Sequence, residues 1–128
     1  MNNVVEKLEL FRDLARMECG PAFFDFHNDF DFSGWSYSDR TLIFCFTRPT
    51  DDLRVDLTFR TVDFLEANFD NSRDSETLTL DTLYRGRFEN EGELLDVSTD
   101  GRFCICFDFI DGFDGRFLCE GLEVTPSV

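Results

Sequence analysis

Thr41-Leu42-Ile43-Phe44-Cys45-Phe46-Thr47-Arg48-Pro49-Thr50-Asp51-Asp52-Leu53-Arg54-Val55-Asp56-Leu57-Thr58-Phe59-Arg60 is the stretch that decides the fold class. Leu42, Phe44 and Phe46 recur at every second position, as do Leu53, Val55, Leu57 and Phe59. A period of two places each set on one face of a strand. Arg48-Pro49-Thr50-Asp51-Asp52 between them has turn chemistry and closes a hairpin.

The same alternation extends outward in both directions. Phe24, Phe26, Phe30 and Phe32 share one face, with Asp25, His27, Asp29 and Asp31 on the other, which reads as a half-buried strand. Leu78-Leu80, Phe103-Ile105-Phe107-Phe109 and Phe117-Cys119 continue the pattern. Asp100-Gly101 supplies the positive φ values of a type I′ hairpin turn, and Asp111-Gly112-Phe113-Asp114-Gly115 a longer one. Residues 70–75 read as an exposed loop. The first twenty residues differ. Val4, Leu8, Phe11, Leu14 and Ala15 recur at three and four, which predicts an amphipathic helix with Asn3 as N-cap and Gly20-Pro21 as its stop. The expected fold is therefore α+β. One domain spans 1–128, with a helix over 1–20 followed by a mainly antiparallel, curled or two-layer sheet of about seven strands within 22–125.

A chain of 128 residues suits one domain, and 42% hydrophobic residues with 17 phenylalanines supply a core. Twelve Lys and Arg against 27 Asp and Glu give a net charge of −15. Such a surface repels phosphate backbones and anionic membranes, which disfavours direct binding to either. Solubility needs a charge of only about 2 to 8 in magnitude, so the excess points to a function that uses it. No apolar run is long enough to span a bilayer, and Met1-Asn2-Asn3-Val4-Val5-Glu6 lacks a basic start followed by an apolar run. A cytoplasmic monomer is expected.

Cys19, Cys45, Cys104, Cys106 and Cys119 are an odd set without an export signal, read as free thiols rather than a disulfide framework. Cys104 and Cys106 share one strand face, but a closed zinc site wants four Cys or His ligands and His27 is the single histidine. Asp29-x-Asp31-x-Ser33-Gly34 matches the first half of an EF-hand loop, yet position 12 is Arg40 where a bidentate acid is required. Nucleophile-elbow, dinucleotide, Walker A and HExxH motifs are missing from the chain. No catalysis, cofactor or metal is expected.

The run Phe30-Asp31-Phe32-Ser33-Gly34-Trp35-Ser36-Tyr37-Ser38-Asp39, the segment Leu57-Thr58-Phe59-Arg60-Thr61-Val62-Asp63-Phe64-Leu65 and the closing Phe107-Asp108-Phe109-Ile110-Asp111-Gly112-Phe113-Asp114-Gly115-Arg116-Phe117 resemble small acidic immunity proteins of bacterial polymorphic-toxin and contact-dependent growth-inhibition systems. The resemblance implies a non-catalytic antidote that binds a cognate toxin domain, typically a basic nuclease. Electrostatics agrees, because an acidic protein is steered toward a cationic cleft. The residues expected to meet that partner are Asp25, Asp29, Asp31, Asp39, Asp108, Asp111 and Asp114, with Trp35 or Tyr37 as an aromatic anchor. The alternative is a nucleic-acid mimic whose carboxylates imitate phosphates to inhibit a DNA- or RNA-binding defence protein.

Overall fold

A computed structural model describes residues 3–5, 8–68, 79–110 and 113–127. Its strands are β1 (Asn3–Val5), β2 (Arg16–Cys19), β3 (Ala22–Asp25), β4 (Asp31–Ser38), β5 (Thr41–Arg48), β6 (Leu53–Arg60), β7 (Asp63–Asn68), β8 (Thr79–Gly86), β9 (Phe88–Asn90), β10 (Glu93–Leu95), β11 (Phe103–Ile110), β12 (Asp114–Cys119) and β13 (Gly121–Ser127). A five-stranded sheet has the order β1-β13-β6-β5-β4 and a four-stranded sheet the order β7-β12-β11-β8, while β2-β3 and β9-β10 are separate hairpins. All the pairings are antiparallel.

The two larger sheets pack face to face through phenylalanine. Phe44 of β5 meets Phe107 of β11 at 5.5 Å between ring centroids, Phe59 of β6 meets Phe117 of β12 at 5.0 Å, and Phe32 of β4 meets Phe109 at 4.5 Å. Tilted and edge-on pairs of this kind suit the ring quadrupole and add to the burial itself. The β5–β6 hairpin forms as the alternation demands, with Leu42, Phe44, Phe46, Val55, Leu57 and Phe59 all buried.

The expected α+β class is overturned, because the described residues are all-β and contain no helix. Where a helix was expected over 1–20, β1 joins β13, and residues 8–15 run along the outer side of β8. There the Phe11 amide donates to the Arg85 carbonyl at 2.7 Å and the Leu14 amide to the Leu83 carbonyl at 2.7 Å. This path buries Leu8, Leu14 and Ala15 but leaves Phe11 59% exposed, at a φ of 61° that no α-helix allows. An isolated helix of this length is marginal, whereas an open sheet edge offers the same apolar residues a long-range partner. Gly20-Pro21 is the two-residue loop of the β2–β3 hairpin, with Gly20 at φ +60° where a type II′ turn takes glycine.

Three smaller expectations also change. Phe24 to Phe32 is not one strand, because a turn at 26–29 separates β3 from β4, although all four rings are buried. Asp100-Gly101 forms a tight turn from Ser98 to Arg102 but joins no paired strands, since β10 belongs with β9 and β11 with β8 and β12. About seven strands become thirteen among the described residues. The expected loop at 70–75, Leu78 and the Asp111-Gly112 portion of the longer turn lie outside the described residues, but Asp108 and Asp114 flanking that turn are paired across the β11–β12 hairpin.

Phe44 contacts five other rings, so Phe44→Ala leaves a void in the centre of the layer. The expected loss is about 3–5 kcal/mol in urea denaturation, against about 1 kcal/mol or less for truncating exposed Phe23.

Candidate functional site

Antiparallel register fixes what the outer face of the four-stranded sheet displays. Three rows of side chains cross it. The first is Gly86, Cys104 and Leu118, the second Tyr84, Cys106, Arg116 and Glu66, and the third Thr82, Asp108, Asp114 and Asn68. Phe88 of β9 and Leu95 of β10 cover the first row and bury its thiol. The second and third rows line an open groove of about 290 Å³.

Asp108 and Asp114 are direct cross-strand partners, and Asp81 is the extra residue of a bulge where β8 shifts register against β11 between Asp108 and Phe109. Bulges re-aim side chains next to the point where they occur. Burial pushes the Asp108 carboxyl up from the ordinary carboxylate value, and repulsion from Asp114 and Asp81 pushes it further. None of these three acids forms an ion pair among the described residues; Arg116, which also lines the groove, is held by Glu66 at 3.0 Å.

The other expected acids are not in these cross-strand rows. Asp25 is structural: its carboxylate accepts from the His27 and Asn28 amides and the Asn28 side chain, and meets Arg16 Nε at 3.3 Å. Burial raises its pKa, but the Asn28 bonds, Arg16 and the His27 amide outweigh that and hold it below the ordinary value. Asp29 lies in the following turn, where its charge acts on Arg48. Asp31 is exposed at the start of β4, and Asp39 occupies the β4–β5 turn with φ 50°. Asp31 and Asp39 thus sit at opposite ends of β4, roughly 26 Å apart along extended chain. Asp111 is outside the described residues.

Trp35 is an edge residue of the core rather than a free anchor. A bulge at Ser33, between Phe32 and Gly34, shifts the alternation so that Trp35 and Tyr37 fall on the core side with Phe44 and Leu42. Trp35 packs on Phe113, the residue before Asp114 in the chain, at 6.3 Å between ring centroids and stays 45% exposed. Tyr37 stacks on Phe64 at 5.3 Å and its hydroxyl donates to the Val62 carbonyl at 3.1 Å. His27 Nδ1 lies 2.7 Å from the Leu80 carbonyl, a bond that clamps the 26–29 turn onto β8 beside Asp81.

Among the described residues no group of three or more His, Cys, Asp or Glu is arranged to hold a metal ion. Ser33 of the EF-hand-like run is bonded instead to Thr47 Oγ1 at 2.6 Å. No helix of the described residues is long and apolar enough to cross a membrane. Set against family models, curated proteins and solved structures, the chain matches none. The functional reading therefore rests on the site.

Sequence patterning did not find Asp81, Tyr84, Arg116 or Glu66. Leu80 and Leu83 both face the core three positions apart because the bulge intervenes, so the alternating run read at Leu78-Leu80 could not be followed along the rest of β8. The signal that was present is Arg116 two residues after Asp114 and ten after Cys106, a spacing that a hairpin folds onto one face.

A carboxyl whose folded pKa is raised binds its proton more tightly in the folded than in the unfolded state, so its ionisation weakens the fold above that pKa. Asp108→Asn therefore raises the melting temperature at pH 7 and gives no gain near pH 2.5, where the carboxyl is protonated. Solvent screening limits the gain to a few tenths of a kcal/mol, about, and added salt reduces it. Asp25→Ala moves the other way: it lowers stability at pH 7 by about 1 kcal/mol, a contribution the native protein itself loses as pH falls through the depressed pKa. Differential scanning calorimetry across pH checks both.

Proposed function

We propose that the protein is a non-catalytic binding protein of the immunity type, which neutralises a basic toxin domain, a nuclease by chemistry, by docking it on the outer face of the four-stranded sheet. The observation that carries this reading is the Asp81, Asp108 and Asp114 cluster, which has no cation among the described residues although arginines are paired with carboxylates elsewhere on the molecule. Mutual repulsion in the free protein is relieved when a partner brings Arg or Lys groups to the face. A nuclease cleft is rich in such groups because it must hold a polyanion. The net charge of −15 steers the encounter, and association by this route reaches about 10⁸ M⁻¹s⁻¹ or more at low salt.

The proposed face is narrower than the surface expected from sequence. Asp108 and Asp114 remain at its centre and Asp81 joins them, while Trp35 packs on the core ring of Phe113 and is not part of it. Asp25 is committed to its own turn. Asp29, Asp31 and Asp39 contribute to long-range steering.

The test is titration against the purified basic C-terminal domain of a toxin encoded beside this chain's gene. Asp108→Asn/Asp114→Asn is expected to weaken Kd about tenfold, chiefly through slower association with a shallower salt dependence. Asp51→Asn/Asp52→Asn makes the same charge change at the β5–β6 turn and is expected to move Kd less than threefold, roughly. Equal effects of the two pairs, or no effect of the first, overturn the proposed face.

A further inference from the structure

Cys106 occupies a position that the acidic face does not need. Its sulfur rests over Gly86, where an added Cβ would lie 2.8 Å from it, so only glycine on β8 leaves room for the thiol. Tyr84 flanks it on β8, Arg116 on β12, Cys104 precedes it on the same strand face, and Asp108 follows. Cys104 is fully buried beneath Phe88 and Leu95, whereas Cys106, in the same cluster and only 9% exposed, still reaches the wall of the open groove. A nucleophile with a buried thiol neighbour, a phenol and a guanidinium around it, at the wall of a groove, is the environment that makes a cysteine reactive rather than structural.

We propose that Cys106 is an oxidation site that takes small neutral hydroperoxides. The Cys106 thiolate attacks one peroxide oxygen, an S–O bond forms as the O–O bond breaks, and sulfur is oxidised by two electrons. The leaving alkoxide takes a proton from solvent by way of the Tyr84 hydroxyl and departs as the alcohol, or as water when the oxidant is hydrogen peroxide. The product is a sulfenic acid at Cys106.

The surroundings set both the ionisation and the choice of reagent. A hydrogen bond from the Cys104 thiol lowers the Cys106 pKa most; burial opposes it, and the Tyr84 hydroxyl and Arg116 lower it further, to about 7. The Cys104 thiol correspondingly keeps its proton. Asp108 and Asp114 make the groove beside the thiol acidic, while Glu66 and Arg116 offset each other as an ion pair. Anionic reagents are repelled there, while neutral peroxide is not. The other cysteines fit less well: Cys19, about as buried as Cys106, and the fully buried Cys119 both have raised pKa values, and Cys45, although more exposed than Cys106, is also raised, by burial and by Asp56.

The test uses the full chain treated with substoichiometric hydrogen peroxide, trapped with dimedone and mapped by peptide mass. Label is expected at Cys106 ahead of the other four cysteines, and none there in Cys106→Ser. Alkylation of Cys106 by neutral iodoacetamide is expected to be half-maximal near pH 7 and at least about tenfold faster at that pH than alkylation of Cys45. Anionic iodoacetate is expected to lag iodoacetamide by more at Cys106 than at Cys45. Tyr84→Phe and Cys104→Ala, checked for native melting, move the half-maximal pH upward. Label spread evenly over the cysteines, or a Cys106 profile that stays at the ordinary thiol value in every variant, overturns the proposal.

Discussion

Phe44 touches Phe32, Phe59, Phe107, Phe109 and Phe113, rings contributed by β4, β6, β11 and the β11–β12 connection. Close packing gives such a layer little tolerance for voids or extra volume, and the side-chain period of two converts that intolerance into a rule for the surface. A slip of one residue in β11 would bring Asp108 into the ring layer and expel Phe107 and Phe109. Register is thus fixed by phenylalanine, and the polar side chains of β7, β8, β11 and β12 reach the outer face in rows that the core has already aligned.

Bulges are where the rule is bent, and two of the three lie in the four-stranded sheet that carries the candidate face. Ser33 is the extra residue in β4, Asp81 in β8 and Leu65 in β7. Each lets the strand return to the core on the other parity. At β8 this keeps both Leu80 and Leu83 inside while Asp81 is set out beside Asp108. At β4 it turns Trp35 and Tyr37 inward, where Phe113 and Phe64 support them.

The alternating runs at 42–46, 53–59, 103–109 and 117–119 were legible because uninterrupted period-two burial has no competing explanation in a short apolar run bounded by turns. The N-terminal segment was not, since spacings of three and four also arise when an irregular chain drops occasional side chains onto a sheet edge. Leu8, Leu14 and Ala15 satisfy both patterns; only the bonds to Leu83 and Arg85, some seventy residues away, separate them. Gly20-Pro21 has the same ambiguity, because a helix stop and a type II′ turn ask for the same glycine. For the site, sequence supplied Asp108 and Asp114 through the hairpin that encloses them. It could not supply Asp81, whose place depends on a bulge, or separate Asp25 from Asp31, whose difference is a set of local hydrogen bonds.

An acidic cluster is useful to a binding protein only if its spacing survives the encounter. Side chains on paired strands meet that condition better than side chains on loops, because ordering them on contact costs less. Asp108 and Asp114 are locked by six cross-strand pairs of β11 with β12, and Asp81 by Leu80 beneath it and the His27 bond at the adjoining carbonyl. Burial raises the Asp108 pKa and repulsion from Asp114 and Asp81 adds to it, and acids held on paired strands do not relieve that repulsion by moving apart with their backbones. On the proposed reading, part of the binding free energy is stored in the free protein as that repulsion. The same register places Cys106 between Tyr84 and Arg116, so the proposed thiol chemistry and the proposed docking would draw on neighbouring rows of one sheet.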